Sequence, residues 1–336
     1  MSVGLDIGSK SVKVVELVND GSAWKLRSSG IVSYSGNSVD DMKSDKEEAT
    51  LADQIKKLHK EAKVGSKDVA ISLPEPKVYI RSVKFPLLTD SEIASAVKWE
   101  AEQYIPIPKE EAIIQHQIIE RRETTSPPST IVLLVAAPKV LVSKYAKVVE
   151  SAGLRLVAVE TELMSLVRSL APIDLTVMIV DFGAISTDIA IAKNGQLMFS
   201  RSIPTAGEAF TRAVAQGLGV EPKQAEEYKR TYGLSAGQLD GKVKTVLDPV
   251  FRTVAEEVKK ASQFYKSDAQ EEPPTRVILS GGTSNMPDVA SYFSALLGIE
   301  VVVGNPFLNV KVDPEASKTL AGYAPLYAVS TGLAMR

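Results

Sequence analysis

The 336-residue chain has no cysteine, which excludes disulfides and thiolate chemistry and suits a reducing compartment. It has only two histidines, His59 and His116, and neither has metal-ligand partners at a useful spacing, so both read as structural or surface residues. No stretch interleaves basic residues with aromatics, and the net charge is −2, so a nucleic-acid footprint is not expected. No apolar run approaches the ~18 residues of a membrane span. The N-terminal residues enter a strand directly, without the basic and apolar regions of a secretory signal. The expectation is a cytoplasmic protein.

What is present is ordinary globular material, 44% hydrophobic and 24% charged. A chain this long exceeds the ~250–300 residues at which one core stops growing, so two lobes are expected.

Its most informative feature is a repeat. Residues 4–17, Gly-Leu-Asp-Ile-Gly-Ser-Lys-Ser-Val-Lys-Val-Val-Glu-Leu, return in altered form at 179–192 as Ile-Val-Asp-Phe-Gly-Ala-Ile-Ser-Thr-Asp-Ile-Ala-Ile-Ala. Each copy is an apolar strand, an Asp-x-Gly turn with small hydroxyl residues, and a second alternating strand. Such a hairpin gathers backbone N–H groups and short hydroxyls into a concave anion site. Its Asp suits a magnesium ion that keeps part of its water shell. Two copies suggest two half-molecules gripping a metal–polyphosphate from opposite sides. The alternative, two plain hairpins with Gly turns, is weakened by a third unit at 276–298. That unit reads as a buried strand, the turn Gly281-Gly282-Thr283, and a helix with Pro287 in its first turn and Gly298 just past its end.

Along the chain, strands are predicted at 2–7, 11–18, 24–34 and 68–73. A polar loop is expected over 36–49, then a helix with Leu51, Ile55, Leu58 and Ala62 on one face. From 77 to 153 the pattern is self-contained: strand 77–85, helix 90–104, strands 112–121 and 129–137, helix 139–152. Thr89 to Glu92 has the spacing of a capping box. A strand at 154–159 and a helix near 160–171 follow. Next come a hairpin at 176–201, helices at 205–218, 222–232 and 249–267, and a closing helix at 320–335.

With the two Asp-x-Gly loops and the Gly-Gly-Thr loop in view, the chain resembles the actin/heat-shock-chaperone/sugar-kinase superfamily. Within it, on its FtsA-like branch, the chain resembles the PilM family of type IV pilus assembly proteins. That closer resemblance rests on Phe85-Pro-Leu-Leu-Thr-Asp-Ser-Glu-Ile, on Trp99-Glu-Ala-Glu-Gln-Tyr-Ile-Pro-Ile-Pro-Lys-Glu-Glu-Ala and on Thr331-Gly-Leu-Ala-Met-Arg336. Thr205-Ala-Gly-Glu-Ala-Phe-Thr and Ala225-Glu-Glu-Tyr-Lys229 also fit. It implies an α/β actin-like ATPase fold, two duplicated lobes around a nucleotide cleft with a small α+β module in the first. The first lobe would be 1–76, 154–174 and 312–336, and the module 77–153. The second lobe would be 175–202 and 275–311, with a helical subdomain at 203–274.

The resemblance further implies ATP or ADP with Mg2+, the metal flanked by Asp6 and Asp181. Gly8, Ser9, Lys10, Ser11 and Lys13 would cradle phosphate from one side, and Gly183, Ala184, Ser186 and Thr187 from the other. Gly281, Gly282, Thr283 and Met286 would also bind the nucleotide, the two glycines letting backbone approach a flat or anionic ligand closely. Glu226 and Lys229, three apart on a helix, would contact ribose and adenine, or else form a surface ion pair. The second loop carries Ala184 and Ile185 where relatives carry glycines. A left-handed backbone is costly for both, so the loop is expected to take another path.

For orienting a water molecule Glu160 is the first candidate and Glu162 the second, either of which could instead cap the following helix. The implied partner is the N-terminal cytoplasmic tail of a PilN-like membrane protein, with other pilus inner-membrane and motor components and a possible second copy of the chain. Association with the inner membrane would run only through those partners. The tail's groove would involve Phe85, Trp99, Tyr104 and Ile105. Ile93, Val97, Ala101 and Tyr104 share a helix face and read as the module's core; Trp99 falls off it, either covering a strand or lining the groove. The alternatives are a small-molecule kinase of the same superfamily or an FtsA-like division protein. The kinase would need a carboxylate base in the cleft. Asp188 is the nearby acid, and strand alternation is expected to carry it past the loop and away from the cleft.

Overall fold

The computed structural model describes every residue except Ser22 and Gln270, and all remaining side chains except those of Ala101, Glu102, Asp268 and Ala269. The strands fall into sheets of six, five and three. The first begins with β1 (Ser2–Ile7), β2 (Ser11–Asn19) and β3 (Trp24–Ser33), a meander whose buried side chains are Val, Leu and Ile apart from Asp6 and Glu16. Helix α1 (Asp45–Glu61) buries Leu51, Ala52, Ile55 and Leu58 against it. It starts inside the expected loop, because Ser44 and Glu47 form a capping box. Strands β4 (Asp68–Leu73) and β8 (Arg155–Thr161) complete this side of the sheet as parallel neighbours of β1. Strand β14 (Val310–Lys311) closes the other edge on β3.

The second sheet holds β9 (Val177–Phe182), β10 (Thr187–Lys193), β11 (Gln196–Ile203), β12 (Arg276–Gly281) and β13 (Glu300–Val303), in the order β11-β10-β9-β12-β13. Helices α5 (Gly207–Leu218), α6 (Pro222–Tyr232), α7 (Lys242–Ala269) and α8 (Val289–Leu297) cover it. Its core is aromatic: Phe182, Phe210, Phe251 and Phe293 pack edge-on or stacked, with centroids 4.3 to 6.0 Å apart. α7 runs through Pro249, where the sequence suggested its start, and begins at Lys242. α8 begins after Pro287, because residues 282–285 form a 3-10 turn and Asp288 takes a left-handed conformation.

The inserted unit is a three-stranded antiparallel sheet, β5 (Tyr79–Pro86), β7 (Ser129–Pro138) and β6 (Ala112–Arg122), with helix α2 (Asp90–Tyr104) on one face. Successive β7 residues point to opposite sides. Val132, Leu134 and Ala136 meet Phe85, Ile93, Val97 and Ile105 under α2. Leu133 and the half-buried Val135 turn the other way. They join a cluster shared by helix α4 (Glu162–Leu170) and strands β9, β10 and β11. The chain returns to the first sheet through α3 (Lys139–Ser151).

The junction of the sheets is built on close helix contact. Helix α10 (Ala328–Ala334), preceded by α9 (Pro314–Leu320), lies against α4 and β1. A Cβ on Gly332 would collide with the Ser165 carbonyl of α4, and one on Gly4 with the Ser330 carbonyl of α10. Glycine at both places lets backbone approach backbone.

Candidate functional site

The two hairpins are built alike. Gly8 N–H donates to the Ser11 carbonyl at 3.1 Å, and Gly183 N–H to the Ser186 carbonyl at 3.0 Å. A Cβ on Gly8 would crowd Ser11 O and the Lys13 ammonium at 3.1 and 3.2 Å, and one on Gly183 would stand 2.8 Å from Ser186 O. The non-glycine residues with left-handed backbone among those described are Lys63, Asn194, Leu239, Asp240 and Asp288. The second loop thus takes a path on which Ala184 and Ile185 avoid that strain.

Between the hairpins lies a cavity of about 1000 Å³, a volume suited to a small-molecule ligand. Its walls bring together Asp6, Gly8, Ser9, Lys10, Ser11 and Lys13 of the first hairpin with Asp181, Gly183, Ala184 and Ser186 of the second. Gly281, Gly282, Thr283 and Met286 line it too, as do Glu226 and Lys229. Gly281 has φ +80°, and a Cβ there would strike the Phe182 carbonyl. Two expected residues are not brought to this cavity. Thr187 is buried and donates its hydroxyl to the Thr205 carbonyl at 2.6 Å. Glu160 is held by Arg168 in a two-pronged ion pair of 2.6 and 2.9 Å, on β8 beside the Gly332 carbonyl. The acid in the cavity at this crossing is Glu162.

Lys13 stands opposite Asp6 in the β1–β2 ladder and its ammonium lies 2.9 Å from the Asp6 carboxylate. In the second hairpin Asp188 stands opposite Asp181. Asp188 lines the cavity, so the expectation that alternation carries it away is corrected. Burial and the charge of Asp181 push its pKa up to about 7, against hydrogen bonds from Ser202 and Ser186. One of its carboxylate oxygens is buried without a hydrogen-bond partner. Asp181 is raised by burial and by Asp6, with Ser280 and Lys13 opposing. Glu162 is raised well above the carboxylate range by burial, then by Asp188, Asp6 and Asp181. Glu75, behind Glu162, is raised likewise by burial and Asp188. The floor of the cleft therefore crowds carboxyl groups whose ionisation burial and mutual repulsion disfavour, a penalty a bound cation would relieve. That donor chemistry, with an unpartnered carboxylate oxygen, fits a hard divalent cation. The glycine turns beside it fit phosphate oxygens.

At the far end, Lys229 is buried and donates to the Gly207 carbonyl at 3.1 Å and the Thr211 hydroxyl at 2.9 Å. Its ammonium lies 2.6 Å from Glu226, which also receives Arg230 at 2.8 Å. Burial pulls the Lys229 ammonium down; burial would raise Glu226, but Lys229 and Thr211 hold it below the usual range. Among the helix starts that reach this cavity, with Glu162 of α4 and Pro222 of α6, is that of α5. Its first N–H groups are already used, Gly207 on Gly183 O at 3.1 Å and Glu208 on Ala184 O at 2.9 Å. Glu208 also pairs with Lys10 at 2.7 Å, joining the two lobes across the cleft mouth.

Of the four groove residues, Phe85 and Ile105 are buried in the core beneath α2. Phe85 is thus a core residue, while Ile105 also borders a recess of about 510 Å³ with Pro106, Ile107, Pro108 and Ile114. Tyr104 is half-buried with the Arg81 guanidinium 4.6 Å from its ring centroid. Trp99 is 78% exposed. Ile93 and Val97 are core as expected, while the side chain of Ala101 lies outside the described residues.

Duplicated lobes facing each other across hairpins of this form define the actin-like ATPase class. MreB5 of Spiroplasma citri bound to ADP has this fold, with a TM-score of 0.53 at 15% identity, over 98% of this chain and 94% of that one. Cell division protein FtsA of Pseudomonas aeruginosa is 26% identical over 181 residues, 48% of this chain and 42% of that protein, so the match spans less than half of the relative. The solved PilM-PilN type IV pilus biogenesis complex matches far more completely, with a TM-score of 0.84 at 26% identity over 100% of this chain and 98% of that one. The family described as type IV pilus assembly protein PilM matches residues 4–336, and the chain belongs to it. Among the described residues no helix is long and apolar enough to cross a membrane.

Proposed function

We propose that the chain is a nucleotide-binding scaffold of a type IV pilus assembly machine, or of a related secretion or DNA-uptake apparatus. Its cleft would take ATP or ADP with Mg2+, and its inserted module would help to hold the N-terminal tail of a PilN-like membrane protein. The cytoplasmic side of the inner membrane, reached through that partner, is the place this role requires. The observation that carries the nucleotide reading is the facing pair of Gly-x-x-Ser turns with Asp6 and Asp181 between them. Asp6 and Asp181 would flank the cation and hold it through water, with Asp188 beside Asp181. The metal would supply charge neutralisation for the phosphates. Lys10, Lys13 and the turn N–H groups would orient those phosphates, and Glu226 and Lys229 the nucleoside. The partner reading is supported by family membership and by the likeness to a chain solved with PilN.

The test is calorimetric titration of a synthetic PilN-like N-terminal peptide into the protein, with and without Mg-ATP. Saturable one-to-one binding is the expected result. An absence of peptide binding in both conditions, beside a demonstrated ATP site, overturns the scaffold role.

One observation favours a second reading. Asp188 faces the cleft with its pKa pushed up to about 7, the placement that a base activating an acceptor hydroxyl requires. A screen of sugars and carboxylic acids for ATP-dependent phosphorylation separates the readings. Turnover of any acceptor assigns the cleft to a kinase.

A further inference from the structure

The inserted module belongs to the first lobe by chain order, leaving it after β4 and returning through α3 to β8. Its root is fastened beside the cleft. The backbone N–H of Glu75 donates to Glu162 Oε2 at 3.1 Å, and the N–H of Leu163 donates to Glu75 Oε2 at 3.4 Å. This reciprocal pair ties the turn at 75–77, where the chain enters the module, to the first turn of α4. Glu162 is also a wall of the cleft.

The other attachment is to the second lobe. Ser82 of β5 donates its hydroxyl to the Met198 carbonyl of β11 at 2.5 Å. Gln117 of β6 reaches Gln196 at 3.0 Å, at the start of β11. At the end of β6, Arg122 and Lys193 each donate to Glu271 at 2.8 Å, one to each carboxylate oxygen. Ile119 packs into both clusters built on the second sheet, and Leu133 of β7 lies in the one shared with α4. The module is thus one packed body anchored to both halves of the cleft. Close-packed interiors transmit displacement rather than absorb it. When the angle between the lobes changes, the module cannot keep its place against both, and one attachment must slide.

We propose that the module is a lever that reads the angle between the lobes, with the Glu75–Glu162 root as fulcrum and the Arg122–Glu271–Lys193 bridge as the point where the second lobe pushes. A ligand that draws the lobes together then moves β5 and β6 relative to the first sheet. The bridge sets how much of the motion arrives. This inference rests on the nucleotide reading of the cleft and supplies its means of regulation.

The test is hydrogen exchange on the full chain, with and without a non-hydrolysable Mg-ATP analogue, in wild type, Glu271→Gln and Ser82→Ala. In wild type the analogue slows exchange in the two turns at 8–11 and 183–186 and also changes exchange along β5 and β6. Glu271→Gln keeps the protection of the turns and loses most of the change in the module. Ser82→Ala removes a neutral bond of the same seam and gives a smaller loss, which keeps the test open should Glu271→Gln fold poorly. Protected turns with an unchanged module in wild type overturn the lever. So does a module response that survives in both variants. Unprotected turns in wild type overturn the nucleotide reading itself, and the lever falls with it.

Discussion

Lys13 and Asp188 occupy the same register in the two halves of the molecule: Lys13 opposite Asp6 in one hairpin, Asp188 opposite Asp181 in the other. The duplication keeps the backbone and reverses the charge. The first half presents a neutralised aspartate, the second a pair of acids with one oxygen unsatisfied. A cation in the cleft would find its strongest electrostatic attraction on the second side.

Replacing Asp188 should expose that strain as a pH dependence. Its raised pKa means the folded chain keeps a proton that the unfolded chain has lost, so stability falls as pH rises from the ordinary carboxylate range to about 7. Asp188→Asn removes its share of this slope, leaving those of Asp181, Glu162 and Glu75, and should stabilise the ligand-free protein above neutrality by about 1–3 kcal/mol. Thermal melts across that range measure it, and identical slopes in both proteins refute it.

The Asp6–Lys13 pair is nearly buried, so each partner depends on the other. Lys13→Met alone should cost about 3 kcal/mol by stranding Asp6, and adding Asp6→Asn should restore much of the loss. Denaturant titration of the single and double variants gives the coupling. Additive losses would mean the pair is not a unit.

Lys10 and Glu208 are both substantially exposed, so their ion pair is worth only ~0–1 kcal/mol. Polyphosphate must compete for Lys10. Glu208→Gln should therefore strengthen Mg-ATP binding about two- to fivefold at low salt, with the gain fading as salt screens the pair. Weaker binding in the variant would show that Glu208 itself holds the ligand.

The module separates core from surface cleanly. Ile93→Ala should destabilise the protein by about 2–5 kcal/mol, because Ile93 is fully buried under α2. Trp99→Ala should change stability by no more than about 0.5 kcal/mol. If the exposed indole anchors the tail peptide, the same change should weaken that binding at least ~10-fold. Calorimetry on a stable Trp99→Ala protein decides, and unchanged affinity removes Trp99 from the interface.

Most of the sheet framework was legible because it is written locally. The Asp-x-Gly hairpins, the continuous apolar run at 131–137 and the capping residues each fix an element within a few neighbours. The early start of α1 was also written, in the Ser44-to-Glu47 capping box. What stayed hidden depends on burial from several directions. Glu160 and Glu162 are two residues apart, and only the position of Arg168 one helix away shows which is engaged. Asp188 reaches the cleft because its strand pairs in register with β9, which brings it opposite Asp181. Phe85 looked like a groove residue until α2 was laid over it. Glu75 gave no motif at all; its importance comes from Leu163, distant in sequence, donating to it.

The placement of the module between β4 and β8 also favours one order of assembly on entropic grounds. These strands are parallel neighbours, with Asp68 opposite Arg155, yet the entire module separates them in sequence. Closing so long an unstructured segment is entropically unfavourable. The module's own sheet needs only antiparallel neighbours, β6 and β7 being joined by a short turn. Folding it first shortens the effective distance between β4 and β8 and delivers β8 to its partner. The first sheet is then finished by a unit that sits outside it. Mutations in the β6–β7 turn should accordingly slow the appearance of the six-stranded sheet, far from where they are made.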